Sequence, residues 1–201
     1  MAEGAEEREV KLEVPEDFVL PSLAPLDSVT ALDRGDARLA AVYWDTADLG
    51  LARAGVGLRH RNGVWTFKGR SRRDGDAVVR EEVEVIANAD SIPGPVRARI
   101  ERWIDPSAAR PVARLDTVRH CLDVSEDDAR AELVHDRVQV LDGTRLVTRF
   151  AEVEVEFSAG SGALANRLVG LLTAHGAVLG TTPKLVRALR ALGHRLPDAT
   201  R

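Results

Sequence analysis

The sequence predicts an α+β protein that is mainly β, with antiparallel strands closed into a barrel and helices packed around it. Three observations carry that reading. Several segments alternate charged with aliphatic residues, as in EREVKLEV, where Glu7, Glu9 and Lys11 interleave with Val10, Leu12 and Val14. On a strand the charges then share one face and the aliphatics the other. Two dipeptides, Asn62-Gly63 and Asp142-Gly143, are strong hairpin signals. Helical periodicity is confined to short stretches.

In chain order, the first strand gives way to VPEDFVLPSLAPLDS, where Pro15, Pro21 and Pro25 break regular structure. Residues 28–33 and 37–44 read as a hairpin joined by Arg34-Gly35-Asp36. Residues 46–54, TADLGLARA, open on a capping Thr/Asp pair and predict a short helix ending at Gly55. GLRHR and VWTFKGR form a second hairpin about Asn62-Gly63. Residues 78–86 alternate again, with Arg80, Glu82 and Glu84 on one face. At 94–104 the period changes: Pro95 suits a first helical position, and Val96, Ile100, Trp103 and Ile104 recur at helical spacing. Strands follow at about 112–124, 130–140 and 145–158, the last carrying Glu152, Glu154 and Glu156, and helices at roughly 161–175 and 183–193 close the chain.

Charges sort by sign from strand to strand: Glu7/Glu9/Lys11, Arg59/Arg61, Lys68/Arg70, Arg80/Glu82/Glu84 and Glu152/Glu154/Glu156. A solvated sheet face would mix Lys, Glu, Ser, Thr and Gln more evenly. A closed barrel has an interior on every strand and can line a channel with charge, provided helices cover its aliphatic exterior.

The 201 residues are 44% hydrophobic, enough for a packed core, and are expected to form a single domain. A net charge of -4 conceals 28 basic and 32 acidic side chains, so bulk charge gives no argument for nucleic acid. Cys121 is the only cysteine, which excludes an intrachain disulfide and a thiolate metal cluster. The acidic N-terminus has no apolar h-region and no apolar run reaches bilayer length, so a cytoplasmic protein without a membrane partner is expected.

Carboxylates gathered in one lumen cannot all stay ionised without a cation, because like charges raise one another's pKa. A hard divalent ion such as Mg²⁺ or Mn²⁺ takes oxygen ligands and binds with substrate phosphates. Arg forks and Lys point charges on neighbouring strands would hold those phosphates. The combination points to a polyphosphate held with a metal.

At these residues the sequence resembles the CYTH domains of the triphosphate tunnel metalloenzymes. The resemblance rests on Glu7-x-Glu9-x-Lys11, the block YWDTADLGLARAGVGLRHRNGVWTFKGR, Arg80-x-Glu82-x-Glu84, DTVRH with Arg119, LVHDRV with Asp136, Glu152-x-Glu154 and Pro183-Lys184-Leu185, over about residues 7–190. It implies an eight-stranded antiparallel tunnel across residues 1–201 and, most commonly, metal-dependent hydrolysis of a triphosphate. Carried over residue by residue, Glu7, Glu9, Asp136, Glu152 and Glu154 would bind Mg²⁺ or Mn²⁺. Lys11, Arg59, Arg61, Lys68, Arg80, Arg119 and Lys184 would bind phosphates, while Glu82, Glu84 and Glu156 would line the acidic side. Lys11, Glu9 and Glu154 are the expected catalytic centre. The family often has a basic residue just before the Thr of the DTVR-like segment, where this chain has Asp116. Arg114 differs from Arg119 in strand parity, which argues against compensation.

The expected substrate is a small linear triphosphate, inorganic triphosphate foremost. The alternatives are a class IV type adenylate cyclase making cyclic AMP and pyrophosphate, and a polyphosphate-binding module without turnover. Monomer and homodimer both stand. The five His residues show no ligand spacing, Trp44, Trp65 and Trp103 read as core or rim aromatics, and Arg72 and Arg73 as a solvated loop.

Overall fold

The computed structural model describes residues 4–196. Its strands are β1 (Ala5–Val14), β2 (Thr30–Asp45), β3 (Gly57–Arg61), β4 (Val64–Lys68), β5 (Arg72–Asp74) and β6 (Ala77–Ile86), then β7 (Arg110–Glu126), β8 (Ala129–Asp142), β9 (Arg145–Phe157) and β10 (Val178–Leu179). The helices are α1 (Gly50–Arg53), α2 (Gly94–Ile100), α3 (Gly162–Ala174) and α4 (Lys184–Ala191). Eight strands in the order β1-β9-β8-β7-β2-β3-β4-β6 close on themselves because β6 also pairs with β1, with Glu7 opposite Arg80. Every pairing is antiparallel, and β5 and β10 are short additions beside β6 and β1. The predicted closed antiparallel barrel is present.

Alternation decides where the apolar residues go. Val10 and Leu12 of β1, Leu133 of β8, and Val153 and Val155 of β9 face outward and pack under Leu164, Ala165, Leu168 and Leu172 of α3. The proline-rich segment after β1 adds Phe18, Leu20, Leu23 and Leu26 to that layer. Around the wall, Leu58, Trp65, Phe67 and Val83 pack under Leu51 of α1 and Val96 and Ile100 of α2. Each such buried side chain contributes about 1.5–3 kcal/mol. The hydrophobic cores therefore lie outside the barrel, leaving the lumen to polar groups.

One end of the lumen is the exception. Inward-facing Ala41, Tyr43, Leu115, Val138, Val140 and Phe150 pack against Leu185, Ala188 and Leu189 of α4, which closes that end. No helix among the described residues is long and apolar enough to cross a membrane.

Several local expectations are corrected. The hairpin expected from 28–33 and 37–44 is one continuous strand, β2, whose two halves both pair with β7. Gly35 takes φ +76, but it forms a bulge, with a register shift between Asp33 and Gly35 and the Asp33 Oδ1 accepting from Gly35 N–H at 2.7 Å. A left-handed glycine serves a bulge as well as a turn, so local chemistry could not separate the two. The helix expected at 46–54 is shortened to Gly50–Arg53, because Asp45 turns back to accept from Leu51 N–H and Ala52 N–H, both at 2.9 Å. The helix expected at 94–104 ends at Ile100, and Arg72 and Arg73 lie on exposed β5 rather than in a loop.

Candidate active site

Antiparallel register turns the alternating charges into cross-strand pairs on the inner wall. Between β1 and β9, Glu9 stands opposite Glu156, Lys11 opposite Glu154, and Glu13 opposite Glu152. Asp136 of β8 stands opposite Glu152 and also opposite Arg119 of β7. Across the barrel, Lys68 stands opposite Glu82, Thr66 opposite Glu84, and Arg59 opposite Thr66. All the predicted site residues on strands except the exposed rim residue Glu84 converge in the lumen, and Lys184 reaches it from the first turn of α4.

Near α4, the carboxylates of Asp136, Glu152 and Glu154 lie within 4.8 Å of one another, and cations already fill the space between them. Lys11 Nζ donates to Glu152 at 3.0 Å and to Glu154 at 2.6 Å, and Lys184 Nζ lies 2.9 Å from Glu152 and also contacts Asp136. Arg119 forks onto both oxygens of Asp136 at 2.8 and 2.7 Å. Burial alone would push the Glu154 carboxyl up, but Lys11, Lys184 and Arg119 hold it well below the usual carboxylate range. Asp136 is lowered in the same way, burial being outweighed by Lys184 and Arg119.

Toward the open end a second trio, Glu7, Glu9 and Glu156, brings carboxylate oxygens within 4.8 Å of one another. Among the described residues its only direct cations are Arg80, whose Nη2 is 2.6 Å from Glu7 and Nη1 3.1 Å from Glu9, and Lys68, 3.6 Å from Glu7 and in close contact with Glu82. Burial, then a hydrogen bond shared with Glu82, pushes Glu7 up to about 8. Burial, then repulsion from Glu154, pushes Glu156 up to about 7. This end of the lumen is short of positive charge.

Arg59 and Arg61 of β3 supply the opposite imbalance. Arg59 donates to Thr66 Oγ1 at 3.2 Å, its nearest carboxylate is Glu84 at 3.9 Å, and its buried Nε has no acceptor. Arg61 makes no ion pair with a carboxylate among the described residues. Burial, followed by the like charges of Arg59 and Arg119, lowers its pKa. Guanidinium donors crowded into a partly desolvated wall without carboxylates form a site for an anion.

Asp116 stands opposite Gln139 and faces out of the barrel, so it leaves no gap in the lumen charge, and Arg114 is likewise outside. Sequence reasoning missed Arg187, 3.7 Å from Glu152 and stacked on Phe150 at 3.9 Å. Its spacing of one helical turn from Lys184 was the available signal. It also missed Thr66, which shares strand parity with Lys68, and Glu132, inward-facing opposite Glu156. The Cys121 thiol faces the same wall and is pushed up to about 12, first by burial and then by a hydrogen bond with Glu132.

The chain matches the protein family described as the CYTH domain over residues 5–179. Among curated proteins, no significant match was found. Among solved structures, HpAC1 from Hippeastrum, an adenylyl cyclase candidate described as having a dominant triphosphatase activity, is 21% identical with a TM-score of 0.61, the alignment covering 95% of this chain and 98% of that one. An adenylate cyclase candidate from Bacillus halodurans, bh2851, is 18% identical with a TM-score of 0.64, covering 93% and 98%. The PH1819 protein from Pyrococcus horikoshii is 13% identical with a TM-score of 0.51, covering 92% and 98%. At these identities the likeness is one of fold.

Proposed function

The chain belongs to the CYTH domain family, and from that premise we propose that it hydrolyses a small linear triphosphate, inorganic triphosphate foremost, releasing orthophosphate inside the lumen. The observation that carries this reading is the pairing of two opposite deficits. Arg59 and Arg61 face the lumen with too few carboxylates, while Glu7, Glu9 and Glu156 face it with too few cations. A triphosphate with a divalent cation supplies both.

The donor set suits a hard divalent ion. Glu7, Glu9 and Glu156 offer oxygen ligands only, as Mg²⁺ and Mn²⁺ prefer, and burial pushes Glu7 up to about 8 and Glu156 up to about 7. Asp136, Glu152 and Glu154 also converge, but the ammonium groups of Lys11 and Lys184 already lie among them. We therefore assign the metal to Glu7, Glu9 and Glu156, and give Asp136, Glu152 and Glu154 the task of orienting the phosphate-binding cations. When bound, such an ion neutralises phosphate charge and aligns the reacting groups.

In the reaction, Arg59, Arg61 and Arg119 fork onto non-bridging oxygens while Lys11, Lys68 and Lys184 act as point charges. Held in line, a water oxygen forms a bond to the terminal phosphorus as the bridging P–O bond breaks. The water's proton passes to a carboxylate of the acidic wall, and orthophosphate leaves with diphosphate as the second product. Burial of the wall strengthens every one of these interactions. No covalent nucleophile is required.

HpAC1 and bh2851 are both described as cyclase candidates, which keeps cyclic AMP formation as the second reading. Hydrolysis is favoured because the inward-facing aromatics Tyr43 and Phe150 are buried against α4, out of reach of an adenine ring. The protein incubated with Mg²⁺ or Mn²⁺ and, separately, inorganic triphosphate, ATP and thiamine triphosphate is expected to release orthophosphate fastest from inorganic triphosphate. Cyclic AMP from ATP would replace this reading with the cyclase. Tight binding without product would replace it with the binding module.

A further inference from the structure

Arg59 is held in the lumen by a hydroxyl. Lys11, Lys68, Arg80, Arg119 and Lys184 each touch at least one carboxylate directly, whereas the direct partner of Arg59 is Thr66. Register sets three groups in one row across β3, β4 and β6, with Arg59 opposite Thr66 and Thr66 opposite Glu84. Arg59 Nη2 donates to Thr66 Oγ1 at 3.2 Å, and that hydroxyl donates to Glu84 Oε1 at 3.1 Å. Arg59 itself lies 3.9 Å from Glu84, too far for a hydrogen bond.

The chain of bonds can run in one direction only. A guanidinium has no acceptor and an ionised carboxylate no donor, so the single Thr66 proton points to Glu84 and a lone pair faces Arg59. Thr66 is fully buried, and Glu84 forms the exposed end of the row. With both roles of its hydroxyl taken, Thr66 cannot turn to another partner without giving up one of these bonds, and the guanidinium is fixed with it. A neutral hydroxyl fixes the geometry without cancelling the charge. Arg59 Nε, buried and without an acceptor, keeps a donor for a phosphate oxygen.

We propose, on the reading that the lumen hydrolyses inorganic triphosphate, that Thr66 is a positioning residue: its hydroxyl, anchored by Glu84, orients the Arg59 guanidinium toward a non-bridging phosphate oxygen and leaves the charge to the substrate. Thr66 acts through Arg59 alone.

The test is a double-mutant cycle read in two ways: affinity for inorganic triphosphate by calorimetry without metal, and KM with Mg²⁺. Thr66→Val keeps the shape and removes the hydroxyl. It is expected to weaken binding and raise KM about tenfold, the scale of one hydrogen bond to a charged group, with kcat little changed, because Arg59 binds ground state and transition state alike. Thr66→Ser keeps the hydroxyl and should recover most of the loss. In an Arg59→Met background Thr66→Val should add nothing, since no guanidinium is left to orient. An additive loss in that background, a Thr66→Ser defect as deep as that of Thr66→Val, or a wild-type KM in Thr66→Val would each overturn the positioning role while the triphosphate reading stands. Wild-type protein that neither binds nor turns over inorganic triphosphate would sink that reading, and the role of Thr66 with it.

Discussion

Lys11 and Lys184 meet on one carboxylate oxygen: their Nζ atoms lie 3.0 and 2.9 Å from Oε1 of Glu152, a fully buried side chain. One ammonium comes from the first strand and the other from the last helix, so Glu152 ties the closing helix to the barrel.

Replacing Glu152 with Gln leaves two buried ammonium groups short of a counter-charge. The variant is expected to lose about 3–5 kcal/mol, the usual cost of removing one partner from a buried ion pair, seen as a lower urea midpoint with an unchanged slope. An unchanged midpoint would show that Asp136 and Glu154 compensate alone.

Arg61→Met should separate stability from function. The fold disfavours the Arg61 charge through burial and its neighbours Arg59 and Arg119, so removing it leaves the melting midpoint unchanged or higher. Loss of charge-assisted hydrogen bonds, worth about 1.5–3 kcal/mol, should raise KM for triphosphate roughly 10- to 100-fold. An unaltered KM would remove Arg61 from the phosphate site.

Glu9→Gln and Glu154→Gln are expected to fall at least about a hundredfold in metal-dependent phosphate release, the scale of losing one well-placed electrostatic group. Glu156→Gln should fall similarly while also weakening Mn²⁺ binding in a titration of the substrate-free protein. Phosphate release unchanged in all three variants would sink the lumen as the reaction site.

The raised carboxyls make the metal-free protein sensitive to pH. Glu7, at about 8 against an ordinary 4.5, and Glu156, at about 7, bind protons more tightly folded than unfolded. Their stabilising effect is complete below about 4.5 and is lost as pH rises through 7 and 8. Metal-free melts should therefore drop over that range, Glu7→Gln should flatten the slope, and Mg²⁺ or Mn²⁺ should restore the midpoint most at the alkaline end. A flat profile would show that these carboxyls are already compensated.

The alternation in EREVKLEV and FAEVEVEF displayed the inner wall directly, and the Asn62-Gly63 and Asp142-Gly143 turns fixed its neighbouring strands. Arg34-Gly35-Asp36 misled because the same left-handed glycine serves a turn or a bulge, and only the pairing of all of β2 with β7 decides. The division of the carboxylates into two trios was likewise hidden. It depends on Lys11 standing opposite Glu154 while Glu9 stands opposite Glu156, a register that no single strand contains. The placement of α4 inside the barrel end was out of reach for the same reason, since its apolar face looks like that of any surface helix.

With the apolar layers outside the wall and the charges within it, adjacent residues such as Leu12 and Lys11, or Val153 and Glu154, answer to different requirements. Mutational tolerance along β1 and β9 should itself oscillate with period two. Every second substitution would be judged by whether the chain folds, and those between, Glu152 apart, by what the folded chain can turn over.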